Sequence, residues 1–169
     1  MIEPVAVIGV GNSFRRDDGV GPAVAAAIDA WSIPGVRVVT DVMEPTRLLD
    51  AWADTHLAIV VDAATASPSA PGWVHRCTMD QLVGATTISS HGVDLATMVA
   101  LGEALDRMPH RLVLFAVEVA DTGYGVGLTP KVKAALPRVA SAVMAEISRG
   151  SFGYREEAEV PWPLRANRS

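Results

Sequence analysis

The sequence predicts an α/β domain of three layers, in which helices cover both faces of a mostly parallel sheet. Short β-branched or continuously apolar runs alternate along the chain with longer segments of helical character. Half of the residues are hydrophobic, and the mean hydropathy is +0.28. Such an apolar composition is typical of a sheet that is buried on both faces.

Each predicted strand or helix rests on a local sequence pattern. Five apolar or β-branched runs indicate strands, at residues 5–10, 36–40, 57–61, 73–78 and 111–117. Four segments with few helix breakers indicate helices, at residues 20–31, 45–53, 93–105 and 130–149. Pro22 and Pro45 are acceptable in a first helical turn, and Thr129 is a good N-cap before Pro130. The predicted domain therefore covers residues 1–149, and residues 150–169 lose periodicity and form a tail.

Composition and charge exclude several classes of protein. At 169 residues, one domain is expected. No apolar run approaches the ~20 residues of a membrane-spanning helix, and the first residues carry no basic region typical of a signal peptide. The net charge of −5 argues against nucleic acid as the main partner. The single cysteine, Cys77, excludes an internal disulfide and fits the cytosol.

The loop after the first predicted strand contains Gly9 and Gly11, the spacing that begins a dinucleotide-binding fingerprint. The third glycine of that fingerprint is missing, because Phe14 stands at its position. Asp17 and Asp18 precede the predicted helix, where the phosphates of a dinucleotide would bind and two carboxylates would repel them. The loop therefore favours cation chemistry over nucleotide binding.

Three residues form the candidate site: Asp18, Asp62 and His91. Asp18 follows the first strand, Asp62 ends the third, and His91 precedes a helix. Because ligands bind beyond the carboxyl ends of parallel strands, we expect these three side chains to share one edge of the sheet. Two carboxylates and an imidazole suit nickel, zinc, manganese or iron, with positions left for water or substrate. Each residue also has a structural interpretation, as a helix cap, a strand-end turn or a helix-start residue.

The remaining polar residues are weaker candidates. Asp17 is predicted to cap the first helix. Asp41 and Glu118 are predicted to hold the metal-binding residues in position without contacting the metal themselves. Cys77 is predicted to be a buried small hydrophobe. We predict that three histidines, His56, His75 and His110, lie at the surface or at a strand edge. Arg15 and Arg16 are predicted to be a solvated pair.

Five segments in order resemble the endopeptidases that mature [NiFe]-hydrogenase large subunits. They are residues 9–12 (GVGN), 17–21 (DDGVG), 59–63 (IVVDA), 90–95 (SHGVDL) and 127–130 (GLTP). Together they extend over nearly the whole predicted domain. The resemblance implies a three-layer fold around a five-stranded sheet. It also implies that the metal-contacting acids are Asp18 and Asp62 and that the histidine is His91.

The implied activity is removal of a C-terminal extension from the hydrogenase large-subunit precursor once nickel has been inserted. Nickel is then expected to arrive with the precursor, with no tightly bound resident cofactor. One segment departs from the family, because residues 41–44 read DVME where the family has Asp-Gly-Gly-Thr or Asp-Ala-Gly-Thr. We expect this loop to affect which large subunit is accepted. The alternatives are a metal-dependent hydrolase of small molecules and a nickel-site chaperone that docks the precursor without cutting it.

Overall fold

A computed structural model describes residues 3–83 and 95–150 of the chain. Within these residues the elements follow the predicted alternation of strands and helices. In chain order they are β1 (Val5–Val10), a 3-10 helix (Arg16–Gly19), α1 (Val20–Asp29), β2 (Val36–Val42), α2 (Pro45–Trp52), β3 (Leu57–Ala64), β4 (Val74–Thr78), α3 (Met79–Val83), α4 (Leu95–Ala104), β5 (Arg111–Glu118) and α5 (Pro130–Gly150).

The strands form one five-stranded sheet in the order β2-β1-β3-β5-β4. β1, β2, β3 and β5 run parallel, and β4 pairs with β5 in the antiparallel direction. The mostly parallel five-stranded sheet is therefore confirmed. Its antiparallel member, β4, is the strand with the weakest alternation in the sequence, and it lies at one edge of the sheet.

Both faces of the sheet are buried, because successive side chains of each central strand point to opposite layers. On β3, Ala58, Val60 and Ala64 pack with α2 and α4, whereas Ile59 and Val61 pack with α1 and α5. Every residue of β3 is buried. This two-sided burial gives the three layers that the apolar composition predicts.

Two strands continue further than the sequence indicates. β3 runs to Ala64, because its pairing with β5 extends through Asp62 opposite Ala116 and Ala64 opposite Glu118. Asp62 therefore lies inside β3, and the prediction that it ends the strand is wrong. β2 likewise extends to Val42 and includes Asp41, which was expected to follow the strand.

Other differences are small. α3 was not predicted, and the segment 84–94, which includes His91, lies outside the described residues, as does the predicted tail beyond Gly150. In the described part of the chain, no helix has the length and apolar character needed to cross a membrane.

The first helix, α1, packs closely against the sheet because glycines stand at the contact. A Cβ atom built on Gly21 would lie 2.4 Å from the carbonyl oxygens of both Val10 and Val61, and one on Gly9 would lie 2.6 Å from the Gly21 carbonyl oxygen. Because these neighbours are backbone atoms of the two central strands, they cannot move aside as a flexible side chain can. Gly21 therefore allows α1 to begin directly against the ends of β1 and β3.

We expect Gly21→Ala to lower the free energy of unfolding by more than about 2 kcal/mol, because the added methyl group forces strand backbone apart. Chemical denaturation followed by circular dichroism measures this loss. Gly102→Ala in α4 is the matched control, since its Cβ would mainly meet the flexible end of Met108, with the sulfur at 2.5 Å. In that control, the higher helix propensity of alanine offsets the contact. Equal stability of the two variants would contradict the close approach at Gly21.

Candidate active site

Asp18 is held in the loop between β1 and α1, on the 3-10 helix Arg16–Gly19. Its side chain is fully buried. The backbone N–H of Asn12 donates a hydrogen bond of 3.0 Å to Asp18 Oδ2. A Cβ on Gly11 would lie 2.1 Å from the Asp18 carbonyl oxygen, and Gly11 has a φ of +130°. Glycine is therefore required at position 11, where it lets the loop fold back onto Asp18.

Asp62 lies at the same edge of the sheet as Asp18. Gly9 of β1 pairs with Val61, so Asp62 stands one residue further along β3, beside the end of β1. The 3-10 helix that carries Asp18 contacts β3. Asp62 is 2% exposed, and its Oδ1 accepts a 2.8 Å hydrogen bond from the Ala63 N–H. The structure thus brings two buried carboxyl groups to one edge, as the strand-end rule predicts.

His91, the third predicted site residue, lies outside the described residues. Within residues 3–83 and 95–150, no three acidic, histidine or cysteine side chains are grouped so as to hold a metal ion. Leu95, the first residue of α4, packs in the same cluster as Val60 and Ala64, which share a face of β3 with Asp62. The chain therefore enters α4 on the side of the sheet that carries Asp62, four residues after His91.

Asp41 supports the first loop from β2. Between β1 and β2 the register shifts, with Ile8 opposite Val39 but Val10 opposite Val42, so β2 carries an extra residue. Asp41 has a left-handed φ of +53° at this irregularity. Its Oδ1 accepts hydrogen bonds from the Ser13 hydroxyl at 2.6 Å and from the Ser13 N–H at 3.4 Å. Asp41 thereby ties β2 to the loop that bears Asp18.

Asp17 has a different role from the predicted helix cap. The N-cap of α1 is Gly19, with no capping hydrogen bond from a side chain. The buried Asp17 carboxylate instead accepts hydrogen bonds from the N–H groups of Ala120 (3.0 Å), Asp121 (3.1 Å) and Thr129 (2.7 Å), and also from the Thr129 hydroxyl. We call this set of bonds the Asp17 latch. It fastens the Asp18 loop to the segment between β5 and α5.

Glu118 and His75 contact each other on the far side of β5. Glu118 Oε1 lies 3.0 Å from His75 Nε2, and its Oε2 accepts a hydrogen bond of 2.6 Å from the Ala70 N–H. This carboxylate therefore holds β4 and the preceding loop, and its predicted support of the metal-binding residues stays a prediction. Their sequence positions gave no signal of this pair, because the contact depends on the antiparallel pairing of β4 with β5.

The remaining predictions have mixed outcomes. Cys77 is buried as predicted, and His110 is exposed. Arg16 is exposed, as predicted for a solvated pair, and Arg15 is half-buried. Arg15 Nε donates to the Thr122 carbonyl at 3.2 Å, and Arg16 forms an ion pair of 2.5 Å with Asp121. The Gly123 N–H and the Arg16 guanidinium together lower the pKa of Asp121 below its ordinary value.

We expect Asp17→Asn to lower the free energy of unfolding by about 2–3 kcal/mol, because an amide offers one acceptor oxygen and turns an NH₂ group toward backbone donors. Asp29→Asn is the matched control, since Asp29 is exposed at the end of α1. Its stability should change by less than about 0.5 kcal/mol. Denaturant titration measures both. An Asp17 variant as stable as the control would contradict the latch.

The family model HycI, described as hydrogenase maturation protease, matches residues 34–146, a range that includes Asp62 and His91. The chain is also 25% identical over 147 residues to the hydrogenase 2 maturation protease of Escherichia coli (strain K12), covering 85% of this chain and 90% of that protein.

Solved structures share the fold. The hydrogenase maturating endopeptidase HybD from E. coli superposes with a TM-score of 0.75 at 24% identity, over 86% of this chain and 93% of that one. The [NiFe] hydrogenase maturation protease HybD from Thermococcus kodakarensis gives a TM-score of 0.68 at 20% identity, over 85% and 99%. Because the family model matches well over half of the sequence, this chain belongs to the hydrogenase maturation proteases, a family of endopeptidases.

Proposed function

We propose that this protein removes the C-terminal extension of a [NiFe]-hydrogenase large-subunit precursor after nickel insertion. The observation that carries this function is the pair of buried carboxyl groups, Asp18 and Asp62, at one edge of the sheet in a chain of the maturation protease family. Family membership favours peptide cleavage over the two alternatives, a small-molecule hydrolase and a chaperone that does not cut.

The precursor supplies the metal in this proposal. Nickel held by precursor cysteines gains ligands from Asp18, Asp62 and His91, and this docking fixes the scissile bond at the sheet edge. Carboxylate and imidazole are both suitable ligands for a divalent first-row metal. Two carboxylates and one histidine leave coordination positions open, and the substrate fills them. Cleavage is therefore tied to the presence of nickel, and the enzyme needs no resident cofactor.

The chain's own groups then direct hydrolysis. The metal polarises the peptide carbonyl or acidifies a bound water. Asp62 or Asp18 accepts a proton from the attacking water and later returns it to the leaving amine as the C–N bond breaks. The burial of both carboxylates keeps them fixed for this task, and the Asn12 N–H holds Asp18 in place. The reaction belongs in the cytoplasm, where the single cysteine of the chain, Cys77, stays reduced.

Nickel dependence is the first test. Nickel-loaded and nickel-free precursor are incubated with the protein in chelator-treated buffer, and intact mass reports loss of the extension. We expect cleavage of the loaded form only, because only that form supplies the remaining metal ligands and positions the scissile bond. Equal cleavage of both forms would contradict the dependence on nickel and support an ordinary hydrolase. An intact nickel-loaded precursor would support the chaperone.

Substitution of the three site residues is the second test. We expect Asp18→Asn, Asp62→Asn and His91→Ala to lower the cleavage rate by about 10²-fold or more, since each removes a metal ligand or a proton acceptor. His110→Ala is the matched control for the histidine, because His110 is exposed beside the start of β5. Asp29→Asn is the matched control for Asp18→Asn and Asp62→Asn. Circular dichroism checks that each variant is folded. A wild-type rate in His91→Ala would rule out its role as a ligand.

A further inference from the structure

Three apolar side chains project into solvent beside the Asp18 loop. Phe14 is 69% exposed, Tyr124 is 86% exposed and Val126 is 81% exposed. We call these three residues the apolar rim. Isolated exposed apolar residues are common, but a group of large ones on neighbouring loops indicates a contact surface.

The backbone joins the two loops that carry the rim. The Gly125 N–H donates to the Phe14 carbonyl at 2.9 Å, and the Arg16 N–H donates to the Gly125 carbonyl at 2.9 Å. The Asp17 latch fixes the same two loops a few residues away. The rim is therefore held in place before any partner arrives, which lowers the entropic cost of binding.

A cation lies beside one member of the rim, Tyr124. The Arg15 guanidinium carbon is 5.5 Å from the centroid of the Tyr124 ring, within cation–π range. Its Nε donates to the Thr122 carbonyl. In the described ranges, no carboxylate lies within ion-pair distance of Arg15, in contrast to Arg16, which is paired with Asp121. Arg15 therefore offers a charge to an acidic group of a partner.

The rim is continuous with the candidate active site. The Phe14 N–H donates to Asn12 Oδ1 at 2.9 Å, and the Asn12 N–H donates to Asp18 Oδ2 at 3.0 Å. Phe14 therefore lies on the same hydrogen-bonded loop as Asp18, so a protein that docks at Asp18 meets this loop. Of the other exposed large hydrophobics, Trp31 follows α1 at the opposite end of the sheet.

We propose that the apolar rim and Arg15 dock the precursor polypeptide itself, through an apolar stretch that carries an acidic side chain. This role rests on the proposed function. Phenylalanine and tyrosine bury much surface with few rotatable bonds and are enriched in protein interfaces, and tyrosine and arginine are enriched among the residues that dominate binding energy. The rim supplies affinity for the polypeptide, whereas Asp18, Asp62 and His91 read the metal.

Nickel-free precursor is the probe that separates docking from metal recognition. Its dissociation constant is measured by titration calorimetry with the wild-type protein, with Phe14→Ser/Tyr124→Ser and with the matched control Trp31→Ser. We expect the double variant to weaken binding about tenfold, and the control to leave it unchanged. With nickel-loaded precursor, KM should rise by a similar factor while kcat stays within about twofold, because the rim contacts no reacting atom. Arg15→Gln should weaken binding further and reduce its dependence on salt.

The outcomes distinguish this role from the proposed function. Binding through the rim without cleavage would overturn the function and keep the docking surface. Cleavage with unchanged Kd and KM in a folded double variant would overturn the docking surface and keep the function. A fall in kcat alone would also overturn the docking surface. So would a finding that the wild-type protein is a dimer, that the double variant is a monomer and that KM is the same for both. The absence of both binding and cleavage would overturn both.

Discussion

The close backbone contact between α1 and the central strands is the constraint on which the site depends. Gly9 and Gly21 face each other without side chains, so the first turn of α1 rests on the ends of β1 and β3. The loop before α1 must then turn back within a few residues, and Gly11 permits this with its positive φ. Asp18 is thereby buried at the edge of the sheet where Asp62 also lies.

Two acids hold the Asp18 loop in place: Asp17, which is buried, and Asp41, which is partly buried. Asp17 satisfies backbone donors from the segment between β5 and α5, and Asp41 holds Ser13 from β2. A buried carboxylate is costly unless it is hydrogen-bonded, and the Asp17 carboxylate accepts hydrogen bonds from three backbone N–H groups and one hydroxyl. Adjacent acids in one loop thus divide the tasks, since Asp17 fixes the loop and Asp18 occupies the edge of the site. The same latch holds the apolar rim next to that edge, so the proposed metal-binding residue Asp18 and the proposed docking surface lie on hydrogen-bonded loops.

A buried carboxylate on α5 holds that helix against the sheet. Glu146 of α5 is 1% exposed and is paired with Arg76 of β4, Arg111 of β5 and Arg149. A buried carboxylate with several guanidinium partners costs much to disrupt, because loss of the partners leaves a charge without compensation. These pairs fix α5 over β4 and β5, whereas in the described part of the chain α1 is attached through apolar packing and the glycine contact. On the face of the sheet that α1 and α5 share, a polar clamp therefore lies over β4 and β5 and a glycine contact lies over β1 and β3.

The sequence by itself determined the layered fold and the edge of the site, because apolar runs, helix breakers and caps are local signals. Asp18 and Asp62 were predicted together from one rule about parallel strands, although β3 passes Asp62 since its length is set by pairing with β5. Their role with His91 stays a prediction. Only the tertiary structure decided the partners of Asp17, which lie more than 100 residues away along the chain, and those of Glu118 on β4. Long-range hydrogen bonds produce no periodic pattern in a sequence. A carboxylate that fastens a loop therefore cannot be distinguished in the sequence from one that caps a helix.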